Sequence, residues 1–272
     1  MNILIICSYY PPDSAISAVR PYMFAKYLTQ AGNHVTVLRS GQFNSTPDDK
    51  YEKLQDVKIV SFLGERCDAE LYDKGLYVCP EKKIQAAKNG FFWRIAKKAY
   101  HLLKEPVTTK TRIDIAKKYF SLQKDAIDSL QQGFDIVIST YSELENVFAG
   151  DYAAKHFNAK WIMDFRDSIV DHINSERYAW NAYAKRYLQY AINNADLCTA
   201  VSSGLAEELR SYSENAYIET VYNGYDEDET SFSGAECKKG LSICYTGQIY
   251  DLRLSALKHL VAAIKRDRKS VV

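Results

Sequence analysis

The stretch Lys160-Trp161-Ile162-Met163-Asp164-Phe165-Arg166-Asp167-Ser168 decides how this chain is to be read. A short apolar run without polar alternation ends in three charged side chains, the pattern of a parallel strand buried on both faces and emptying into a cleft. In open α/β sheets, ligands lie beyond the carboxyl ends of the strands, which makes Asp164, Arg166 and Asp167 cleft candidates. The same charges also read as an arginine clamped between two carboxylates, a knot that fixes a loop. The two readings are compatible.

Toward the amino terminus, Asn2 to Ile6 is a nearly unbroken apolar run, followed by a loop in which Pro11 and Pro12 forbid an immediate helix. The loop ends near Ser17. From Ala18 to Ala31, Val19, Tyr22, Met23, Tyr27 and Leu28 recur at helical spacing, and Gly32 terminates the helix. Val35 to Leu38 then completes a βαβ unit. The helix that begins near Ser17 presents backbone N–H groups and a positive dipole end to an anion, with Arg20 one turn in as a phosphate or carboxylate contact. An exposed first-turn arginine is the alternative. The opening has no G-x-G-x-x-G, so NAD is not supported.

Lys58 to Phe62 reads as a third strand, and a long amphipathic helix runs to about Gln132, where Gly133 breaks it. Asp135 to Thr140 is a further strand, and Glu143 to His156 is the helix leading to the Trp161 strand. Beyond it come an aromatic-rich helix from Tyr178 to Ala191 and a strand from Ala195 to Val201. Ser203 is the expected N-cap of a helix reaching Arg210, and a seventh strand runs from Ile218 to Tyr222 before the turn Asn223-Gly224-Tyr225-Asp226. This alternation predicts an α/β fold. An acidic, linker-like stretch follows, and then a strand from Leu241 to Tyr245 and a helix from Ser255 to Lys265. These read as the first βα unit of a second domain that is too short to bury a core of its own, so the chain is expected to be a fragment.

Composition is that of a globular protein, with 47% apolar and 25% charged residues. No run approaches the ~18 apolar residues of a membrane span, and the amino terminus reads as a strand rather than a signal peptide, which argues for the cytoplasm. The six cysteines and five histidines have no C-x-x-C or H-E-x-x-H spacing, so neither a metal nor a disulfide framework is expected. Net charge is +1, yet between Lys82 and Lys118 eleven Lys/Arg stand against two acidic residues, interleaved with Phe91, Phe92, Trp93, Tyr100, Leu102 and Leu103. A basic helix with such residues fits an anionic membrane surface, and a solvated helix face is the alternative. With no nucleic-acid-binding motif beside it, nucleic acid is not expected as a partner.

Six stretches in register resemble glycosyltransferase family 4, the retaining sugar-nucleotide transferases of the two-domain GT-B fold. They are Tyr9-Tyr10-Pro11-Pro12-Asp13 with Ala18-Val19-Arg20, Gly32-Asn33-His34-Val35-Thr36-Val37, Trp161 to Asp167, Ala195-Asp196-Leu197 with Val201-Ser202, Val221 to Asp226, and Tyr245-Thr246-Gly247-Gln248-Ile249-Tyr250. The likeness is greatest to members that build bacterial surface polysaccharides. It implies that residues 1–225 form an acceptor-side Rossmann-like domain, a parallel sheet flanked by helices. Residues 226–240 would be a linker, and residues 241–272 the start of an incomplete donor-binding domain.

The resemblance further implies a nucleotide-sugar donor and a glycan or lipid-linked acceptor, with no metal or other cofactor; the amino terminus argues for a cytoplasmic protein, and the basic 82–118 stretch offers a contact with the inner face of the cell membrane. Ser17, Gly247 and Arg253 would meet the donor, and Arg20, Asp164, Arg166, Asp167 and Asn223 would line the cleft. Relatives commonly carry glycine where this chain has Ser17, and many carry a catalytic histidine where it has Asn146 and Val147, so no catalytic residue is assigned. The family's paired glutamates lie beyond Val272, and the fragment is expected to be inactive. The alternative is a non-catalytic membrane-docking or glycan-binding module.

Overall fold

The computed structural model describes residues 1–13, 15–40, 42–43, 54–63, 66–67, 91–141, 143–168, 178–213, 216–224, 243–246 and 251–266. The chain divides into a unit from Met1 to Asn223 and a second from Gly224 to Val272.

The first unit is built on β1 (Asn2–Ile6), β2 (His34–Arg39), β4 (Val57–Ser61), β6 (Ile136–Tyr141), β7 (Lys160–Phe165), β8 (Leu197–Ala200) and β9 (Ile218–Thr220). They form a seven-stranded sheet in the order β4-β2-β1-β6-β7-β8-β9, and every pairing in it is parallel. Two-residue strands β3 (Gln42–Phe43) and β5 (Arg66–Cys67) pair separately. The helices are α1 (Ile16–Gln30), α2 (Phe91–Asp128), α3 (Leu144–Phe157), α4 (Tyr178–Asn194) and α5 (Ser203–Arg210). This is a Rossmann-like α/β fold, as the apolar runs of the sequence predict.

Strand parity places the core on both faces. Successive strand residues point to opposite sides. On β1, Ile3 and Ile5 face α1, where Tyr22 and Ala25 pack on them with Val35 and Val37 of β2. Leu4 and Ile6 join the other face, which holds Val137 of β6, Trp161, Met163 and Phe165 of β7, and side chains of α2 to α5. On β7 that leaves Ile162 and Asp164 on the α1 side.

Helix α3 lies so close to the sheet that a Cβ on Gly150 would meet Ser139 Oγ and, at 2.6 Å, Trp161 Nε1. That indole donates to Ser139 Oγ at 2.8 Å. A larger residue would break this buried bond as well as overpack the contact.

Two details differ from the sequence reading. Ser202, not Ser203, caps α5: it has extended backbone and its side chain accepts from Leu205 N at 3.2 Å. The cap must stand outside the helix, and Ser203 is already its first residue. In the second unit, residues 243–245, expected within a strand, have no regular structure, and Ile243 and Tyr245 are exposed. A strand forms only against a partner, and an apolar run of this length does not supply one. The helix expected at Ser255–Lys265 is present as α6 (Asp251–Arg266). The expected linker at 226–240 lies outside the described residues.

Candidate functional site

The carboxyl end of β7 is tied to α1 by a buried ion pair. Arg20 Nη2 and Nε donate to Asp164 Oδ1 and Oδ2 at 2.7 and 2.9 Å, with a longer contact from Nε to Oδ1 at 3.2 Å. Thr199, paired with Asp164 across β7 and β8, donates its hydroxyl to Oδ1 at 2.6 Å. The remaining Arg20 nitrogen, Nη1, reaches the Asn223 side-chain oxygen at 3.2 Å and the Tyr222 carbonyl at 3.4 Å, and the guanidinium carbon lies 4.8 Å from the centre of the Phe24 ring. Asp164 has no solvent exposure and Arg20 only 7%. Such a fork is the strongest geometry available to a carboxylate.

The structure therefore brings Arg20, Asp164 and Asn223 into one cluster and gives Asp164 a partner that local sequence did not suggest. The expected knot of Arg166 between two carboxylates is not formed. Arg166 Nη1 donates instead to the Ser17 carbonyl at 2.7 Å, at the start of α1. Asp167 is exposed. Burial lowers the pKa of Arg166, against the pull of the Asp164 and Asp167 carboxylates. Among the described non-glycine residues only Asn158 has a positive φ, so Ser17 needs no glycine-like backbone.

The strand order reverses between β1 and β6, the switch point at which such sheets hold ligands. Of the residues there, the sequence points to Asn146 only as the place of a missing histidine and does not point to Gln123 or Ser8. Asn146, in the first turn of α3, donates to the Thr140 carbonyl at 3.1 Å and to Ser8 Oγ at 3.0 Å, and it accepts from Gln123 Nε2 at 2.8 Å. Both Gln123 and Asn146 are fully buried. Position 146, where the resemblance leads one to look for a histidine, is thus a structural junction of β6, α2, α3 and the loop after β1. A polar residue at 123 in the apolar stripe of Tyr119 and Ile127 was the available signal.

Glu145 is buried on the same turn. Desolvation, then the Glu143 carboxylate, push its pKa up to about 8. Glu143 keeps its side chain at the surface, so burial acts less on it, and Glu145 carries the effect. Cys7, at the end of β1, is pushed up to about 12 by burial, with Arg39 and Arg166 opposing. It is a packed thiol rather than a nucleophile.

On the second unit, Arg253 is exposed and its Nη1 lies 3.2 Å from the Tyr245 hydroxyl, while Gly247 lies outside the described residues. Among the described residues, no three His, Cys, Asp or Glu side chains are grouped to hold a metal ion, and no helix is long and apolar enough to cross a membrane.

A doubly wound parallel sheet flanked by helices defines an α/β protein of the Rossmann-like class. The chain belongs to Glycosyltransferase Family 4, whose profile matches residues 18–229. It is similar in fold to sucrose-phosphate synthase (tll1590) from Thermosynechococcus elongatus, at 12% identity and a TM-score of 0.53, over 83% of this chain and 49% of that one. The chain thus spans about half the length of that relative. A weaker likeness, at 10% identity and a TM-score of 0.45, covers 87% of this chain and 54% of TcCGT1, solved in complex with UDP. No curated protein matches.

Two predictions follow from these geometries. Asp164→Asn leaves the buried Arg20 guanidinium without its counter-charge and is expected to cost about 3–5 kcal/mol. Thr199→Val removes one hydroxyl bond and costs about 1.5–3 kcal/mol. Urea unfolding ranks the two, and equal losses would mean that the ion pair does not dominate this edge. For Glu145, a folded-state pKa raised from 4.5 to about 8 means that the native state retains a proton the unfolded chain gives up. Stability should fall by up to about 1.4 kcal/mol per pH unit across that window. In Glu145→Gln this part of the slope vanishes, and identical pH profiles for the two proteins would show Glu145 to be solvated.

Proposed function

We propose that this chain is the acceptor-side part of a glycosyltransferase that moves a sugar, with retention of anomeric configuration, from a nucleotide-sugar donor to a glycan or lipid-linked acceptor of the surface-polysaccharide type. The observation that carries this is the family match across residues 18–229. The arrangement of Arg20, Asp164, Arg166 and Asn223 at the carboxyl edge of the sheet supports it, because ligands of such sheets lie there. In this reading the N-terminus of α1, at Ser17, approaches the donor diphosphate, and Gly247 and Arg253 of the second unit belong to the donor side.

Charge on the leaving diphosphate is met by helix amides and basic side chains, an electrostatic stabilisation that requires neither a metal nor a covalent intermediate. A panel of UDP-, GDP- and ADP-sugars, with and without a lipid-linked oligosaccharide, tests it on the full-length protein by thermal shift and by mass spectrometry of products. One nucleotide class is expected to raise Tm by several degrees, since saturation at 100 times Kd adds about 2.7 kcal/mol. Indifference to every donor and acceptor would refute the reading. Binding of glycan without any response to nucleotide sugars would favour the non-catalytic module instead.

A peripheral membrane location is a separate part of the proposal. Its support is that the part of the basic, aromatic stretch from Phe91 to Lys118 falls within a single helix, α2, of 38 residues, while Lys82 to Gly90 lie outside the described residues. A helix rich in Lys and Arg with large apolar residues suits the boundary of an anionic bilayer. Sedimentation with phosphatidylcholine vesicles, with and without phosphatidylserine, should show binding only to the anionic ones and release at high salt. Failure to co-sediment at low salt would place the protein away from the bilayer.

A further inference from the structure

We propose that Arg166 is an anion-binding residue that receives a phosphate ester at the rim of the first unit, either the diphosphate of a nucleotide-sugar donor or the phosphate of a lipid-linked acceptor. The choice of these two sources rests on the glycosyltransferase reading; the anion site itself rests on the geometry below.

Arg166 stands immediately after the fully buried Phe165, the last residue of β7, and is itself half-buried. Its hydrogen bond from Nη1 to the Ser17 carbonyl fixes the plane of the guanidinium. Among the described residues no carboxylate lies within ion-pair distance of it. The nearest acid in the strand, Asp164, is fully taken up by Arg20 and Thr199. Burial works against the charge of Arg166, the Asp164 and Asp167 carboxylates favour it without pairing with it, and the one hydrogen bond it makes among the described residues is to a carbonyl dipole. The donors left over form the planar fork that matches two phosphate oxygens.

The surroundings point the same way. Arg166 is anchored on the first turn of α1, a 15-residue helix whose N-cap, Ala15, makes no side-chain capping bond and whose first turn holds no acidic residue. Within the helix nothing neutralises its dipole end, and ahead of it the buried Asp13 carboxylate takes the Ala15 N–H at 2.9 Å, leaving the first-turn amides of α1 without a side-chain cap. Two large apolar side chains stand exposed on the segments that meet here. Ile16, which precedes Ser17, is 85% exposed, and Tyr222, whose carbonyl meets Arg20, is 65% exposed. An anion seat bordered by apolar surface fits a phosphate carrying an organic substituent better than free phosphate.

The test is titration of the whole chain and of Arg166→Gln and Arg166→Lys with inorganic pyrophosphate, UDP and farnesyl phosphate, followed by calorimetry. The wild type is expected to bind pyrophosphate and at least one of the esters, more weakly as salt rises. Arg166→Gln should weaken binding at least tenfold, and Arg166→Lys less. Loss of UDP binding assigns the donor diphosphate, and loss of farnesyl phosphate binding alone assigns the acceptor. As a measurement that needs no variant, the Arg166 Nε–H resonance of the wild type should shift on adding pyrophosphate. The proposal is overturned if the wild type binds none of the three, or if Arg166→Gln binds all of them unchanged. Because no turnover is read, binding of pyrophosphate through Arg166 keeps the anion site even where the full-length protein ignores every nucleotide sugar, a result that refutes the transferase alone.

Discussion

The contact between Arg20 and Asp164 is the constraint on which the carboxyl edge of the sheet depends. Its partners are 144 residues apart in the chain, and both are withdrawn from water. Desolvating two ions is costly, and attraction offsets the cost only where geometry is good and the remaining polar positions are filled. Here they are filled. Nε and Nη2 take the carboxylate, Thr199 takes one carboxylate oxygen, and Nη1 takes the chain at Tyr222 and Asn223. The ion pair thus joins α1, β7, β8 and the segment after β9, the guanidinium reaching that segment and the carboxylate reaching β8.

That arrangement follows from strand parity. On β7, Trp161, Met163 and Phe165 must face the larger core, because α2 to α5 supply most of the apolar surface there. Asp164 is then forced to the α1 side, as is Thr199, which alternates with Cys198 and Ala200 on β8. A shift of one residue in either register would bury Asp164 among the aromatic and aliphatic side chains of the other face, where no cation waits. The close seat of Gly150 of α3 against Ser139 and Trp161 opposes such a slip from the opposite side of the sheet.

How much of this was legible in the sequence depended on whether the cause was local. The strands were, since an apolar run such as Asn2 to Ile6 or Trp161 to Phe165 announces burial on both faces without reference to anything else. Gly32, at φ 83°, ends α1 for a reason that resides in the residue itself. The Arg20 partnership was not legible, because an arginine in a helix looks the same whether water or a carboxylate faces it. The bond between Asn146 and Gln123 was missed for a related reason, although the resemblance marks Asn146 itself as the place of an absent histidine. Their value comes from a meeting of four elements, and only the polar interruption of the α2 stripe betrayed it. Residues 243–245 failed in the other direction: an apolar run was present, but a strand needs a neighbour that the sequence cannot certify.

The two arginines on this edge divide the work by position. Ile162, Asp164 and Arg166 share one parity, so all three project toward α1, and they meet it at increasing distance from the centre of the sheet. Ile162 reaches the apolar core beneath the helix. Asp164 reaches Arg20 within the helix. Arg166, past the end of the strand, reaches only the Ser17 carbonyl at the helix's first turn. Neutralisation is complete one step inside the rim and incomplete at it. Had Asp164 been left for Arg166, the rim would carry a closed pair and Arg20 would be a buried cation without an anion. Because the interior pair forms first in the order of burial, the unsatisfied positive charge is the one that solvent and ligands can reach.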